Sequence, residues 1–244
     1  MSQKNCLIYQ PAGIGDILFC QGIVKHYVNK GYNVIYPTNS NLFYLKDYLK
    51  HPGVTYYDKE DDFPFKDRYN NNNRSILDGD FVFVNLDKSQ EHVPPSRGFM
   101  ISKYEMVGLD HNIWKQNLHI TRNKEREDWL FYKHLKLKDG EKYILTNNKF
   151  GTPPDTKIFP LPQIDTSYKL VDMPYIDGTT IMDWIKVIEK ARGIVTVDTC
   201  IQYIMEILDI DYKFYYCYSR TGESSFLKNI KDIFTIPWNY QTLN

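Results

Sequence analysis

Two loops hold the residues best suited to chemistry. The first, Gly13-Ile14-Gly15-Asp16, lies between the apolar run Cys6-Leu7-Ile8-Tyr9-Gln10 and a stretch with helical periodicity. Gly13 and Gly15 let backbone approach another group closely, and a helix start offers unpaired N–H groups and a positive dipole end. Asp16 then has two readings. It is a first-turn carboxylate that satisfies helix N–H groups, or a base that takes a proton from an attacking hydroxyl. The spacing is not GxGxxG, because Leu18 stands three residues beyond Gly15, and no Gly-Lys-Ser/Thr follows to make a Walker loop. The second loop, Asp198-Thr199-Cys200, ends the apolar run Gly193-Ile194-Val195-Thr196-Val197 and opens another helical pattern. Its backbone N–H groups and the Thr199 hydroxyl suit a diphosphate, and capping by Asp198 is compatible with that role.

Other polar residues point less clearly. The six histidines have neither HExxH nor paired metal-ligand spacing, so no metal site is expected. The acidic run at Asp58, Glu60, Asp61 and Asp62 reads as a solvated loop, as does the whole stretch 58–80 with its Asn70–Asn73 run. His92 and Arg97 flank Pro94-Pro95 after a strong strand; they are candidate acceptor contacts or parts of a Pro-stiffened connection.

The elements that must carry these loops alternate. An apolar strand at 6–10, a helix running to Gly31, a strand at 33–36, a helix at 42–49 and strands at 54–57 and 81–84 form the first series. Helical patterns follow at 100–108 and 124–135. The second series has strands at 143–146, 168–172, 193–197 and 213–218, with helices at 180–191 and 201–208. A short helix near 224–230 and an irregular tail end it. Two β/α series without a fixed repeat predict an α/β protein of two Rossmann-like domains facing a cleft, 1–125 and 126–244.

Composition narrows the class. Thirty basic and thirty acidic residues among 244 leave no net charge, which argues against binding nucleic acid by bulk phosphate attraction. Hydrophobic residues make up 42%, enough for a packed core. The 20 Tyr and 13 Phe can supply stacking surfaces, but biased codon usage is the favoured account of their number. Cys6, Cys20, Cys200 and Cys217 have no CxxC spacing and mostly lie in apolar runs, as reduced buried thiols do. No apolar run reaches membrane-spanning length, so a cytoplasmic protein is expected, with peripheral membrane association left open.

Taken together, the two loops resemble the heptosyltransferase family. Gly13-Ile14-Gly15-Asp16-Ile17-Leu18 is similar to the family's Gly-Asp-x-Leu, and Asp198-Thr199-Cys200 with Tyr203 to its Asp-Thr-Gly-x-x-His. Lys157-Ile158-Phe159-Pro160 resembles Lys-x-Trp-Pro, and the stretch Ile176-Asp177-Gly178-Thr179-Thr180-Ile181 resembles the family's Gly-x-Thr-x-Leu entry into a helix. The resemblance implies a GT-B-like, inverting, metal-independent glycosyltransferase with a shortened second domain. It would use no cofactor, only a nucleotide-diphosphate sugar as donor and a glycan hydroxyl as acceptor. Asp16 would be the catalytic base. Lys157, with Lys149 as a second candidate, would neutralise the donor phosphates beside Asp198, Thr199 and Cys200. Cys200 in place of glycine, Tyr203 in place of histidine and the missing β/α unit depart from the pattern. They suit an alternative, a non-catalytic module that binds a nucleotide sugar or glycan. A dinucleotide-dependent oxidoreductase is disfavoured, because no GxGxxG is present and no acidic residue closes the second strand near Tyr36.

Overall fold

Each β/α series folds as its own layered unit. A computed structural model describes residues 3–93, 98–151, 156–164, 166–208, 210, 213–219 and 230–242. Internal contacts divide the chain into Met1–Thr121 and Arg122–Asn244.

The first unit begins with β1 (Asn5–Tyr9), α1 (Ile14–Phe19), α2 (Gln21–Asn29) and β2 (Asn33–Thr38). After β3 (Val54–Asp58) and β4 (Phe81–Asn85) come α3 (Phe99–Met106) and α4 (Trp114–Asn117). All four strands run parallel in the order β3-β2-β1-β4. The single helix expected up to Gly31 is interrupted at Cys20, and the Gln21 side-chain amide donates to the Ile17 carbonyl at 2.8 Å. The expected helix at 42–49 is instead a 3-10 helix, Ser40–Asp47.

Pairing in register fixes what each sheet face carries. Leu7, Ile35 and Phe83 share one face, and the opposite face meets the helices, with the Tyr56 hydroxyl donating to Gln21. The stretch 58–80 does more than the expected solvated loop. Phe63 packs into the core of Leu7, Ile35 and Phe83, and Tyr69 lies 4.6 Å from Tyr9, ring to ring. The fully buried Asn85 amide fastens this cover by donating to the carbonyls of Asn71 (2.8 Å) and Asn73 (2.9 Å). An apolar face must be buried, and here an irregular segment does the work of a helix.

The second unit opens with α5 (Lys124–Asp128), which runs on as a π-helical turn, Trp129–His134, where one continuous helix was expected. Next are β5 (Tyr143–Asn147) and the two-residue strands β6 (Lys149–Phe150) and β7 (Lys157–Ile158) of an antiparallel ribbon. Then follow β8 (Lys169–Asp172), α6 (Ile185–Lys190), β9 (Gly193–Val197), α7 (Ile201–Met205), β10 (Phe214–Tyr218) and β11 (Asn239–Gln241). The parallel order is β11-β10-β9-β5-β8. The tail expected to be irregular thus supplies the edge strand β11, while the helix expected near 224–230 falls almost wholly outside the described residues. Among the described residues, the crossover from β5 to β8 contains the ribbon and no helix. A cavity of about 370 Å³ lies there, floored by Ile144, Val195, Phe214, Tyr216 and Tyr218 and roofed in part by Pro162.

Candidate active site

Both strand orders reverse direction beside their first strand, and in open parallel sheets ligands bind beyond the strand ends at such reversals. In the first unit the reversal lies between β1 and β4. The loop after β1 delivers Gly13 and Asp16, and the turn after β4 delivers Asp87.

Gly13 takes a left-handed φ of 78° and precedes α1. A Cβ there would run into Asp16 Oδ2, so glycine is required by conformation and by contact together. Asp16 stands in the first turn of α1, yet no side-chain cap is formed at that helix start. Its Oδ1 pairs instead with the Lys103 ammonium from α3. The Lys103 side chain is fully buried, whereas Asp16 keeps 30% of its side chain exposed. Lys103 also donates to Gln10 Oε1 at 2.7 Å and lies 4.4 Å over the Phe99 ring.

Neighbouring groups respond to this pair. Burial pushes the Asp87 carboxyl above the usual carboxylate range; the Lys103 ammonium opposes that and the Asp16 carboxylate adds to it. Burial also pushes the Cys20 thiol up to about 12, despite an opposing pull from Lys103, which leaves it a structural thiol. His92 closes the 3-10 turn Leu86–Glu91 and is exposed. Arg97 lies outside the described residues.

In the second unit the reversal falls between β5 and β9. Lys149 follows β5, and its ammonium reaches 3.5 Å from the Met173 carbonyl just beyond β8. Asp198, buried, and Thr199 follow β9. Asn147 links the two ends by donating to Thr196 Oγ1 at 3.1 Å. The Thr199 hydroxyl is buried without a hydrogen-bond partner among the described residues. Lys157 sits on the other strand of the ribbon, paired with Phe150 rather than with Lys149, and is exposed. The structure therefore places Asp198 and Thr199 just past β9, and Lys149 and Lys157 on facing strands of the ribbon, with the Lys149 ammonium at the end of β8.

Two of the three departures from the family pattern, Cys200 and Tyr203, have structural explanations. Cys200 has helical dihedrals, φ −60° and ψ −15°, which any side chain accepts, so the backbone does not require glycine there. Tyr203 is 7% exposed and packs edge-on against Phe234 at 4.9 Å, which makes it a core residue. Sequence reasoning missed Lys103, Gln10 and Asp87. A lysine inside a helical pattern ordinarily reads as a solvated charge; nothing local marks its partner in a distant loop. Among the described residues no group of three or more His, Cys, Asp or Glu is arranged to hold a metal ion, and no helix is long and apolar enough to cross a membrane.

No protein-family model and no curated protein sequence matches the chain. Solved structures do. One is a glycosyl transferase family 9 protein from Veillonella parvula DSM 2008, with 11% identity over 88% of this chain and 80% of that one and a TM-score of 0.49. Another is TibC from enterotoxigenic E. coli H10407, described as a bacterial iron-containing dodecameric glycosyltransferase, with 8% identity and a TM-score of 0.49. The third is TibC, described as a dodecameric iron-containing heptosyltransferase, in complex with ADP-D-beta-D-heptose, with 10% identity and a TM-score of 0.50. The likeness to TibC is one of fold. It covers 93% of this chain and spans 61% of the TibC chain. The α/β architecture of two Rossmann-like units, expected from the resemblance to heptosyltransferases, is thus present, and it is shared with a heptosyltransferase structure.

Proposed function

We propose that the chain is an inverting, metal-independent glycosyltransferase that moves a sugar from a nucleotide-diphosphate sugar to a hydroxyl of a glycan acceptor. The observation that carries this reading is the Asp16 carboxylate, which is not consumed as a helix cap and keeps an accessible face at the strand-order reversal. In the reaction the acceptor O–H proton passes to Asp16 as the acceptor oxygen bonds to the anomeric carbon from the side opposite the leaving group. The bond from that carbon to the diphosphate oxygen breaks, and its electron pair leaves with the phosphate. Negative charge then grows on the diphosphate, where the Lys149 ammonium and the N–H groups of Thr199 and Cys200 act most strongly. The lysine supplies the positive charge, so the scheme uses no metal. The shared fold with a heptosyltransferase crystallised with ADP-D-beta-D-heptose supports a nucleotide-sugar donor. The donor's sugar class, a hexose, pentose or heptose, is left to experiment, and the cytoplasm is the compartment this reading assigns.

A crossover from β5 to β8 without a helix among its described residues favours a second reading, a non-catalytic module that binds a nucleotide sugar or glycan. A thermal-shift screen of nucleoside diphosphates and ADP-, UDP- and GDP-sugars in EDTA, followed by transfer and hydrolysis assays, separates the two. Turnover in EDTA with Asp16→Ala inactive, but still stabilised by the nucleotide, is the expected result. Binding without turnover supports the module, and an Asp16→Ala variant with full activity removes the base.

A further inference from the structure

Burying an ammonium completely is costly, and a lysine sealed from water needs each of its donors occupied. Lys103 meets that demand with Asp16 Oδ1, Gln10 Oε1 at 2.7 Å and the face of Phe99 at 4.4 Å. Gln10 uses its own amide to donate to the Ala12 carbonyl at 2.8 Å, inside the loop that leads to Asp16. The contacts form a closed circuit from α3 to the end of β1, through the glycine turn and into α1. Only one member of the pair is sealed: Lys103 has no exposed side chain, and Asp16 retains 30%. A pair built only to brace two helices has no reason to keep its carboxylate wet and its cation dry. Here Oδ1 is tied down, and Oδ2 lies over the bare Cα of Gly13, a place no larger residue could leave free.

We propose that Lys103 is the positioning residue of Asp16: it fixes Oδ1 from inside the protein so that Oδ2 is presented to the incoming hydroxyl in one orientation. The proposal rests on the reading of Asp16 as the base. Lys103 touches no substrate. It acts by holding the acceptor of the proton in place, and by keeping that carboxylate from turning back to cap α1. The other titratable groups near the pair are Asp87, Cys20 and the buried Tyr36 hydroxyl, which burial also keeps protonated. The Cys20 thiol stays protonated at neutral pH, which leaves Asp87 as the one further carboxylate that competes for the ammonium.

Two measurements on the full chain test this. The first needs no activity: thermal unfolding of Lys103→Met, Asp16→Ala and the double variant. Each single change strands a partner and lowers the midpoint, and the double variant regains most of the loss because no unpaired charge remains. Additive losses would overturn the pairing. The second measures turnover of the nucleotide sugar that scores in the donor screen, with water or glycan as acceptor. Lys103→Met should reduce kcat on the order of 10²-fold with little change in donor KM. Lys103→Arg should restore part of it, and adding Lys103→Met to Asp16→Ala should cost nothing more. Wild-type kcat in Lys103→Met overturns the positioning role while leaving Asp16 as base. Absence of turnover in the wild-type chain, with the unfolding cycle still coupled, instead removes the functional reading on which the role depends.

Discussion

Lys103 and Lys157 both interrupt apolar stretches, yet one is sealed beneath a carboxylate and the other stands in solvent. The distinction follows from what the backbone around each can reach. Lys103 is on a helix whose inner face meets the end of β1; Lys157 is on a two-residue strand of a surface ribbon. The same reasoning ranks the two phosphate candidates. Lys149 follows β5 by two residues and is half-buried beyond the strand ends of the sheet, whereas Lys157 is exposed, so Lys149 is the better placed of the two. Lys149→Ala should weaken nucleoside-diphosphate binding by roughly 10- to 100-fold, the worth of one charge-assisted hydrogen bond, and Lys157→Ala by less than about threefold. Isothermal titration with ADP, UDP and GDP reads both. An equal effect of the two changes would extend the phosphate site to Lys157 on the facing strand of the ribbon. The positions of Asp16, Asp198 and Thr199 just past strand ends were legible in sequence because strand-to-helix turns are marked locally. Lys103 was not, since its meaning depends on a partner brought near only by folding.

Continuous apolar runs made most strands plain: Gly193 to Val197 forms an interior strand of the second sheet, and Phe81-Val82-Phe83-Val84 forms β4 beside β1 at the end of the first. β11 was hidden because Asn239-Tyr240-Gln241 has no apolar run; it is a strand only because β10 offers it an edge. The break at Cys20 was hidden for another reason: the apolar spacing continues through it, and only the Gln21 side chain reports the freed carbonyl. At the start of the second unit, Arg122 bonds Glu127 (Nε to Oε1, 2.9 Å) and Glu189 (Nη1 to Oε1, 2.9 Å), joining α5 to α6. Glu127 is 1% exposed and Glu189 30%. Glu127→Gln should therefore destabilise the chain by about 1–3 kcal/mol, and Glu189→Gln by less than about 1 kcal/mol. Urea unfolding of the two variants checks the order, and a larger loss from Glu189→Gln would show that burial is not what sets it. At Gly22 a Cβ would lie 2.5 Å from the Tyr104 hydroxyl, which itself donates to the Phe19 carbonyl. The close approach of α2 to α3 thus depends on a residue whose only visible trait in sequence is its smallness.

For the molecule as a whole, the alternation of strands and helices was enough to announce two units, because each series closes a parallel sheet of its own. What alternation could not announce is how each sheet is covered where a helix is missing. In the first unit Phe63 and Tyr69 take that place, anchored through Asn85. Equal numbers of acidic and basic residues give a sequence pI near 7.0. Solubility should accordingly be lowest near neutral pH and rise on either side; precipitation by polyethylene glycol from about pH 5 to about pH 9 measures this. A minimum far from neutrality would mean that the folded chain holds its charges very differently from the free residues. The outermost strand of the second sheet has a separate liability. Among the described residues β8 pairs with β5 alone, and of its four residues only Val171 is buried. Lys169 is held by Glu141 at 2.8 Å, and Asp172 by the Thr146 hydroxyl. With no helix among the described residues of its crossover, that rim is guarded by charge instead of by bulk, so this is where a foreign strand would have to overcome electrostatic refusal before it could zip on and begin a fibre.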